Sequence, residues 1–532
     1  MSFHKAIIAE GTAVFNAVQS HANLQFAIPS MSSIVISLIS GVLLSLAFPR
    51  TSIHWLAWFA LAPLMYYTYR LSWRRALICA AAFGLGFFAS LLHWIGIFGR
   101  LPWAALSVFQ CLFIVAFVAA AKLIGSRLGS WGRFALPPAL WVGFEWIRSL
   151  GMFGFTWGDL GYSQYKVLPI VQLASLTGVW GVSLLIALSN SALASLAAAR
   201  GNPGRLSAAR IQIILVGIAI LSAAALGLAS LRRPAGRTGE PIRAAVIQGN
   251  INQDAEQDVA YRDRTWRTYR TMTLAAEKAD LIVWPETVVP GCAGRDPYIQ
   301  RRLTDLAAGV RAHLLVGGWD ENNKGGDLNT AFLIGPGSGV LGRYAKVRLV
   351  PFGEFVPLRR YMPFLQYYRV TPMDVSPGPG YNLLDAGSYK LGTAICFESI
   401  FPDISRRLTA SGAELLCVIT NDAWFGRTSA AEQHLSKSVF RAVENRRYLI
   451  RAAATGISCI VDPHGRILSR AGLFRPEVLH ADVRARAEKT FYTRHGDWLV
   501  YACLALAGFL AVIAITRNPG RKNVTIANHG GT

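Results

Sequence analysis

Cysteine is scarce in this 532-residue sequence: seven residues, an odd number, with no CxxC pair among them. That usage offers neither a zinc site nor a disulfide framework. Cys79, Cys111 and Cys503 lie in apolar runs and read as core fillers. Carboxylates are the second shortage, with 30 Asp and Glu against 53 Lys and Arg, a formal net charge of +23. Such an excess could serve nucleic acid. However, no nucleic-acid motif is present, and no long Lys/Arg block lies outside the flanks of apolar runs. Arginines anchoring helix ends beside anionic lipid headgroups account for the charge. No nucleic-acid partner, metal or cofactor is expected. The first 30 residues mix Glu10, His21 and Gln25 with apolar residues and have no clear cleavage site, so they read as a cytosolic or interfacial extension rather than a signal peptide.

What is abundant is apolar residue, 53% of the chain, and it is unevenly spread. The expected division is an extension over 1–30, membrane helices over 31–232, a soluble domain over 240–490, a last membrane helix over 497–516 and a tail over 517–532. Eight candidate spans centre on residues 34–48, 53–69, 76–93, 104–124, 134–150, 167–197, 211–231 and 498–515. The fifth is opened by Pro137 and Pro138 and carries Glu145 and Arg148, which can share a helix face as a structural pair. Basic residues crowd alternate loops: Arg70, Arg74 and Arg75; Lys122, Arg127 and Arg133; Arg200, Arg205 and Arg210; Arg517, Arg521 and Lys522. The other loops hold mainly Arg50, Arg100 and Lys166. The positive-inside rule then places both termini in the cytoplasm and the soluble domain on the opposite face. No further domain is expected after the last span.

The soluble domain alternates short apolar strands (243–248, 281–284, 313–318, 329–334, 390–395, 415–420, 457–461) with helices (261–279, 298–312, 405–411, 430–452), a layered α/β pattern. Three segments place a reactive side chain just after an apolar strand, where α/β sheets tend to carry catalytic groups. They are Leu281-Ile-Val-Trp-Pro-Glu286; Arg343-Tyr-Ala-Lys346 with Val350-Pro-Phe-Gly-Glu354; and Leu391-Gly-Thr-Ala-Ile-Cys396-Phe-Glu398. A thiol and a free carboxyl differ by about 4 pH units, roughly 6 kcal/mol, so direct proton transfer is uphill unless burial and a nearby ammonium narrow the gap. On this reading Glu286 is the general base, Cys396 the nucleophile and Lys346 the electrostatic stabiliser. On spacing alone, a packing cysteine and an ordinary ion pair are the commoner readings. Cys292 and Cys417 are second-choice nucleophiles without such context. His434 and His464 are isolated histidines. Arg441, Glu444 and Arg451 read as an ion network on one helix.

The wording of the segments narrows this. Trp284-Pro-Glu286, Lys346 and Ile395-Cys396-Phe-Glu398 resemble the three signatures of the nitrilase superfamily, over roughly residues 243–482. Gln248-Gly-Asn250, Val350-Pro-Phe-Gly-Glu-Phe-Val-Pro357, Asn421-Asp-Ala-Trp-Phe-Gly426 and Trp157 through Gly161-Tyr-Ser-Gln164 are similar to the apolipoprotein N-acyltransferase family within it. The resemblance implies a membrane bundle of about eight helices carrying a periplasmic nitrilase-like αββα sandwich, in a bacterial inner membrane. It puts Glu286, Lys346 and Cys396 on the triad, Glu354 and Glu398 on supporting acidic positions, and Trp284, Phe397, Asn421 and Trp424 around the substrate. Phe397 stands where some relatives have Tyr, and Gln257 where some have an aromatic residue.

The implied reaction moves a fatty acyl chain from a phospholipid donor, phosphatidylethanolamine being expected, through a cysteine thioester. The acceptor is the α-amino group of a diacylglyceryl-cysteine on an apolipoprotein, and the enzyme is expected to be monomeric. A membrane-tethered amide hydrolase is the alternative, and a non-enzymatic scaffold a further one. The segment 352–373 mixes Phe355, Tyr361, Phe364, Tyr367 and Tyr368 with Arg359, Arg360 and Arg369, which suits a headgroup-level arm or a packed cover, with Gly378 and Gly380 as a hinge.

Overall fold

The computed structural model describes residues 31–232, 239–251, 259–368 and 374–516. Among these, five helices are long and apolar enough to cross a membrane: Trp73–Leu91, Arg100–Gly125, Val179–Ala198, Pro203–Arg232 and Trp498–Thr516. Their outward faces carry Leu221, Leu226, Phe509 and Ile515, all well exposed, a surface that only lipid would cover at low cost.

The other expected spans take different forms: residues 34–48 correspond to the continuous but shorter helix Met31–Leu46, and the rest are set by local features. Residues 53–69 form a 3-10 turn, His54–Trp58, and a nine-residue helix, Ala62–Arg70. That helix is about 14 Å long, under half a hydrocarbon core. Residues 167–197 are divided at Gly178, whose φ of +66° ends one helix before Val179–Ala198 begins; a Cβ there would meet the Tyr492 ring at 2.6 Å. Ser130–Arg148 keeps Pro137 and Pro138 inside the helix. Its expected Glu145–Arg148 pair is not formed. Arg148 bonds Asp159 at 3.0 Å, and Glu145 accepts from the Trp141 indole and the Leu160 amide, both at 2.7 Å.

The soluble domain has twelve strands among the described residues: β1 (Pro241–Gln248), β2 (Leu281–Val283), β3 (His313–Glu321), β4 (Asp327–Gly335), β5 (Gly339–Ala345), β6 (Leu384–Asp385), β7 (Lys390–Ile395), β8 (Leu415–Thr420), β9 (Leu449–Ala453), β10 (Cys459–Val461), β11 (Ile467–Arg470) and β12 (Glu477–Arg484). They form two six-stranded sheets, ordered β12-β1-β2-β3-β4-β5 and β11-β10-β9-β8-β7-β6. β1, β2 and β3 run parallel, as do β7, β8 and β9. Alternate residues meet between the sheets: Val246, Leu281, Val283 and Leu315 from one, Leu391, Ile395, Leu415, Cys417 and Ile450 from the other. The opposite faces bury Ile247, Ile282 and Val316 under the helices Val259–Ala275 and Pro297–Val310. Strands covered on both faces lose the polar alternation that marks a half-exposed strand, which is why they read as plain apolar runs.

For the same reason β9 was hidden inside the expected helix 430–452. The helix Ala430–Asn445 stops where Arg446 turns left-handed, at φ +51°, and the apolar residues beyond it are a central strand. The outer face of the second sheet packs on this helix and on Pro402–Ala410, and these join the membrane bundle in one continuous apolar cluster from Leu44 through Trp180 to Val439, Phe440 and Val461. The domain is thus seated on the bundle through its second sheet and helical layer.

Candidate active site

Glu286 follows β2 by three residues, Lys346 follows β5 directly, and Cys396 and Asn421 follow β7 and β8 directly. Strand direction therefore brings groups from four distant segments to one end of the sandwich. Lys346 is 1% exposed, and its ammonium bonds Glu286 Oε1 at 3.1 Å and Glu354 Oε1 at 2.8 Å. Burial acts to lower its pKa, but Glu286 and Glu354 outweigh that and hold it well above the ordinary lysine value. The lysine is a fixed cation.

The carboxylates are fixed in turn. Asn329 on β4 donates to Glu286 Oε1 at 2.7 Å and to Glu354 Oε1 at 3.3 Å. The amide of Asn421 donates to Glu286 Oε2 at 2.8 Å, and that of Val350 to Glu354 Oε2 at 2.8 Å. Three of about four acceptor positions on Glu286 are thereby filled, leaving one for an incoming proton. Glu398 is fully buried between the sheets and the loop after β5. It accepts from Tyr344 OH, the Val347 and Arg348 amides, and the Ile395 amide. Burial raises its pKa to about 7, with those amides pulling the other way. The loop carrying Lys346 is in this way tied to the strand carrying Cys396.

Cys396 has φ +52°, left-handed for a residue with a Cβ, so its side chain leaves the strand at a sharp turn. Burial, and next the charge of Glu286, push its thiol well above the usual range despite the opposing pull of Lys346. The resting Cys396 side chain is a neutral thiol. Behind it, Ser399 Oγ donates to the Cys396 carbonyl at 2.7 Å, and His434 Nε2 stands 2.8 Å from Ser399 Oγ and 3.3 Å from that carbonyl. His434 Nδ1 faces Asp422 at 3.1 Å, and Arg451 pairs with Asp422 at 2.8 Å. Burial and Arg451 lower the His434 pKa, whereas Arg451 and His434 overcome burial to hold Asp422 below the usual carboxylate range. His434 is thus a neutral ring that braces the Cys396 peptide.

The other sequence-predicted positions divide. Asn421 reaches the site through its backbone, while its side chain accepts from Ala423 N. Trp284 is not brought to the charged cluster: it is fully buried with Trp266 and Tyr269 beneath Val259–Ala275, its indole donating to Thr273 Oγ1 at 2.9 Å. Phe397 packs edge-on against Phe401, and Trp424 is half-exposed. Arg441 pairs with Glu444 at 2.6 Å, but Arg451 sits on β9 and serves Asp422 instead. Cys417 is buried between the sheets. Gln257 and Arg369 lie outside the described residues. Asn329 and the Ser399–His434 brace were missed from sequence, since a lone Asn in a strand and a lone His in a helix carry no local signal.

On the membrane side, Arg348 stacks 3.3 Å from the Phe401 ring centroid and donates to the carbonyls of Ser149 and Gly151, both at 2.8 Å. The loop carrying Lys346 is therefore anchored to the end of the Ser130–Arg148 helix. Tyr361 and Tyr367 are 77% and 81% exposed, and Phe364 is exposed beside them, so this part of the segment is not a packed cover. Gly378 is no hinge: its amide bonds the Lys346 carbonyl at 2.8 Å, and a Cβ would lie 2.2 Å from the Ala345 carbonyl oxygen.

The family profile described as the apolipoprotein N-acyltransferase N-terminal domain matches residues 40–192, and that described as carbon-nitrogen hydrolase matches residues 243–492. The chain is 39% identical over 502 residues to an apolipoprotein N-acyltransferase of Geobacter metallireducens, covering 91% of this chain and 95% of that one. It is 33% identical over 525 residues to that of Azotobacter vinelandii, covering 93% and 97%. With the counterpart from Pseudomonas putida it shares 30% over 503 residues, covering 90% and 97%.

Proposed function

Because this chain belongs to the apolipoprotein N-acyltransferase family, we propose that its sandwich domain transfers a fatty acyl chain from a phospholipid to the α-amino group of an N-terminal diacylglyceryl-cysteine, through a thioester on Cys396. The enzyme is an acyltransferase. The observation that carries the residue assignment is the buried Lys346 ammonium held between Glu286 and Glu354, in electrostatic contact with Cys396.

Cys396 Sγ attacks the donor's ester carbonyl while its proton passes to the open position on Glu286. A neutral resting thiol makes proton transfer and attack one coupled event. The carbonyl oxygen gains negative charge, which the Lys346 ammonium is fixed to meet; preorganised charge in a dry site contributes most to catalysis of this kind. The C–O bond then breaks, the lysophospholipid oxygen takes the proton from Glu286, and the thioester remains. In the second half the acceptor amine attacks the thioester carbonyl and gives a proton to Glu286. The C–S bond breaks, and Glu286 returns that proton to the leaving sulfur, restoring the thiol. Glu354 and Asn329 keep Lys346 and Glu286 in register, and Glu398 ties the two loops together. Asn421 supplies a backbone donor, and Phe397 and Trp424 line the approach.

Both substrates are lipids, so the bundle's role is to hold the site at the bilayer surface, where neither must leave the membrane. We place the protein in a bacterial inner membrane with eight passes, counting the interrupted second segment as one. Both termini are then cytoplasmic and the sandwich periplasmic, in accord with the arginine-rich alternate loops. Phosphatidylethanolamine is the proposed donor and the monomer the working unit. The exposed aromatics Tyr361, Phe364 and Tyr367 suit contact with headgroups.

The test is mass spectrometry of purified protein mixed with phospholipid. An acyl-sized adduct on the peptide holding Cys396, released by hydroxylamine and passed to an N-terminal lipoprotein peptide, is expected. An active enzyme without that adduct, or one that yields only free fatty acid when acceptor is present, overturns the assignment.

A further inference from the structure

The end of the bundle away from the sandwich holds a cavity of about 300 Å³. Its walls include Tyr69, Arg70, Ser130, Arg133, Arg205 and Gln212. Its position follows from Pro203–Arg232. That helix meets the sandwich at its last turn, where Arg446 donates to Ser230 Oγ and Arg466 to the Leu231 carbonyl, and Gln212 lies 18 residues earlier, about 27 Å away along the axis. Val179–Ala198 runs likewise, with the Val179 amide bonded to Glu444 of the sandwich and the cavity-lining Ser191, Ala194 and Ala198 toward its far end.

Two features mark the cavity as built for a polar guest. First, Gln212 is fully buried, yet neither its amide oxygen nor its amide nitrogen has a partner among the described residues, and the buried Tyr69 hydroxyl is likewise unpartnered. Unpaired buried polar groups cost free energy and are rare in native proteins. Second, the three arginines have no carboxylate. Between residues 31 and 232 the acidic side chains are Glu145 and Asp159, and both are committed elsewhere, to Trp141 and Leu160 and to Arg148. Arg133 spends two of its five N–H groups on the Gly125 and Ser126 carbonyls, while Arg70 and Arg205 form no ion pair among the described residues.

We propose that this cavity binds the phosphate-bearing headgroup of an anionic phospholipid, in the leaflet opposite the one that faces the sandwich. Arginine forks match phosphate oxygens, and the Gln212 amide and Tyr69 hydroxyl reach a headgroup's remaining oxygens. Two of its walls, Val179–Ala198 and Pro203–Arg232, are long and apolar enough to cross a membrane, so a lipid in the leaflet rather than a free ion is the occupant. The site lies far from Cys396 and holds a lipid that is not a substrate.

Native mass spectrometry of the full chain tests this, with Cys396→Ala present so that no acyl transfer consumes lipid. Phosphatidylglycerol, phosphatidylcholine and inorganic phosphate are titrated separately. The expected result is retention of one phosphatidylglycerol at energies that strip phosphatidylcholine, with affinity reduced about tenfold or more in Arg70→Gln/Arg205→Gln. Gln212→Leu should also weaken binding while leaving the melting temperature of the lipid-free protein equal or higher, which separates loss of a ligand contact from loss of fold. Equal binding of the two lipids, variants that bind as the parent does, or saturable inorganic phosphate binding with no lipid preference each overturn the proposal.

Discussion

The side-chain amide of Asn329 lies 2.7 Å from Glu286 Oε1, the oxygen that also receives the Lys346 ammonium. Two donors on one oxygen fix the carboxylate's rotation and leave the remaining acceptor position on Oε2, which accepts from the Asn421 amide. Asn329→Leu should therefore slow thioester formation by about 100-fold or more, the usual scale for one lost donor in a preorganised site. Single-turnover acylation read by mass spectrometry checks this. A melting curve close to the parent's would show that the loss is catalytic.

The thiol of Cys396 is held protonated by burial and by Glu286. Since the thiolate is the form that alkylates, iodoacetamide labelling of Cys396 in the folded protein should climb with pH without a plateau through about pH 9, whereas an unfolded control titrates near 8.5. Glu286→Gln removes the larger of the two negative charges that, with burial, raise it, the other being Asp422. It should speed labelling at pH 9 while abolishing acyl transfer. Slower labelling in that variant would contradict the assigned electrostatics.

Lys437, on Ala430–Asn445, is buried against the rings of Tyr162 and Trp157, with Asp159 favouring its charge and Arg441 and Arg148 opposing it. Burial lowers its pKa to about 7, against about 10.4 in an unfolded chain. Between those values the unfolded state binds more protons, so this group makes stability rise with pH, by up to about 1.4 kcal/mol per pH unit. Lys437→Met should raise the melting temperature at pH 6 and flatten its dependence from pH 7 to 10. An unchanged slope would show that the burial is not felt.

Gly378→Ala places a methyl 2.2 Å from the Ala345 carbonyl oxygen, one residue before Lys346. Backbone must move to admit it, so this substitution should cost roughly 1–3 kcal/mol and reduce acyl-enzyme formation more than Gly309→Ala, since nothing lies within 4 Å of a Cβ at Gly309, in the helix Pro297–Val310. Paired melting and acylation measurements compare the two.

Much of the site was legible because its signals are local. Glu286, Lys346 and Cys396 each follow an apolar strand within a few residues, and strand direction alone carries such positions to one sheet end. The groups they bond to were hidden. Asn329 sits mid-strand, and the strand itself looked like core. His434 lies 38 residues from the carbonyl it braces. The helix boundary at Arg446 was misplaced because a doubly covered strand and a buried helix share one composition.

The amino-acid order by itself determined the apolar and soluble division, the alternating strand and helix pattern, and which sulfur, ammonium and carboxyl stand at strand ends. Those follow from residue chemistry over short windows. Only the tertiary structure decided that Arg148 takes Asp159 rather than Glu145, that Trp284 fills a core rather than a pocket, and that three arginines share a cavity without a carboxylate. Each of these depends on which distant surfaces exclude water from one another, and that exclusion exists only once the chain has folded.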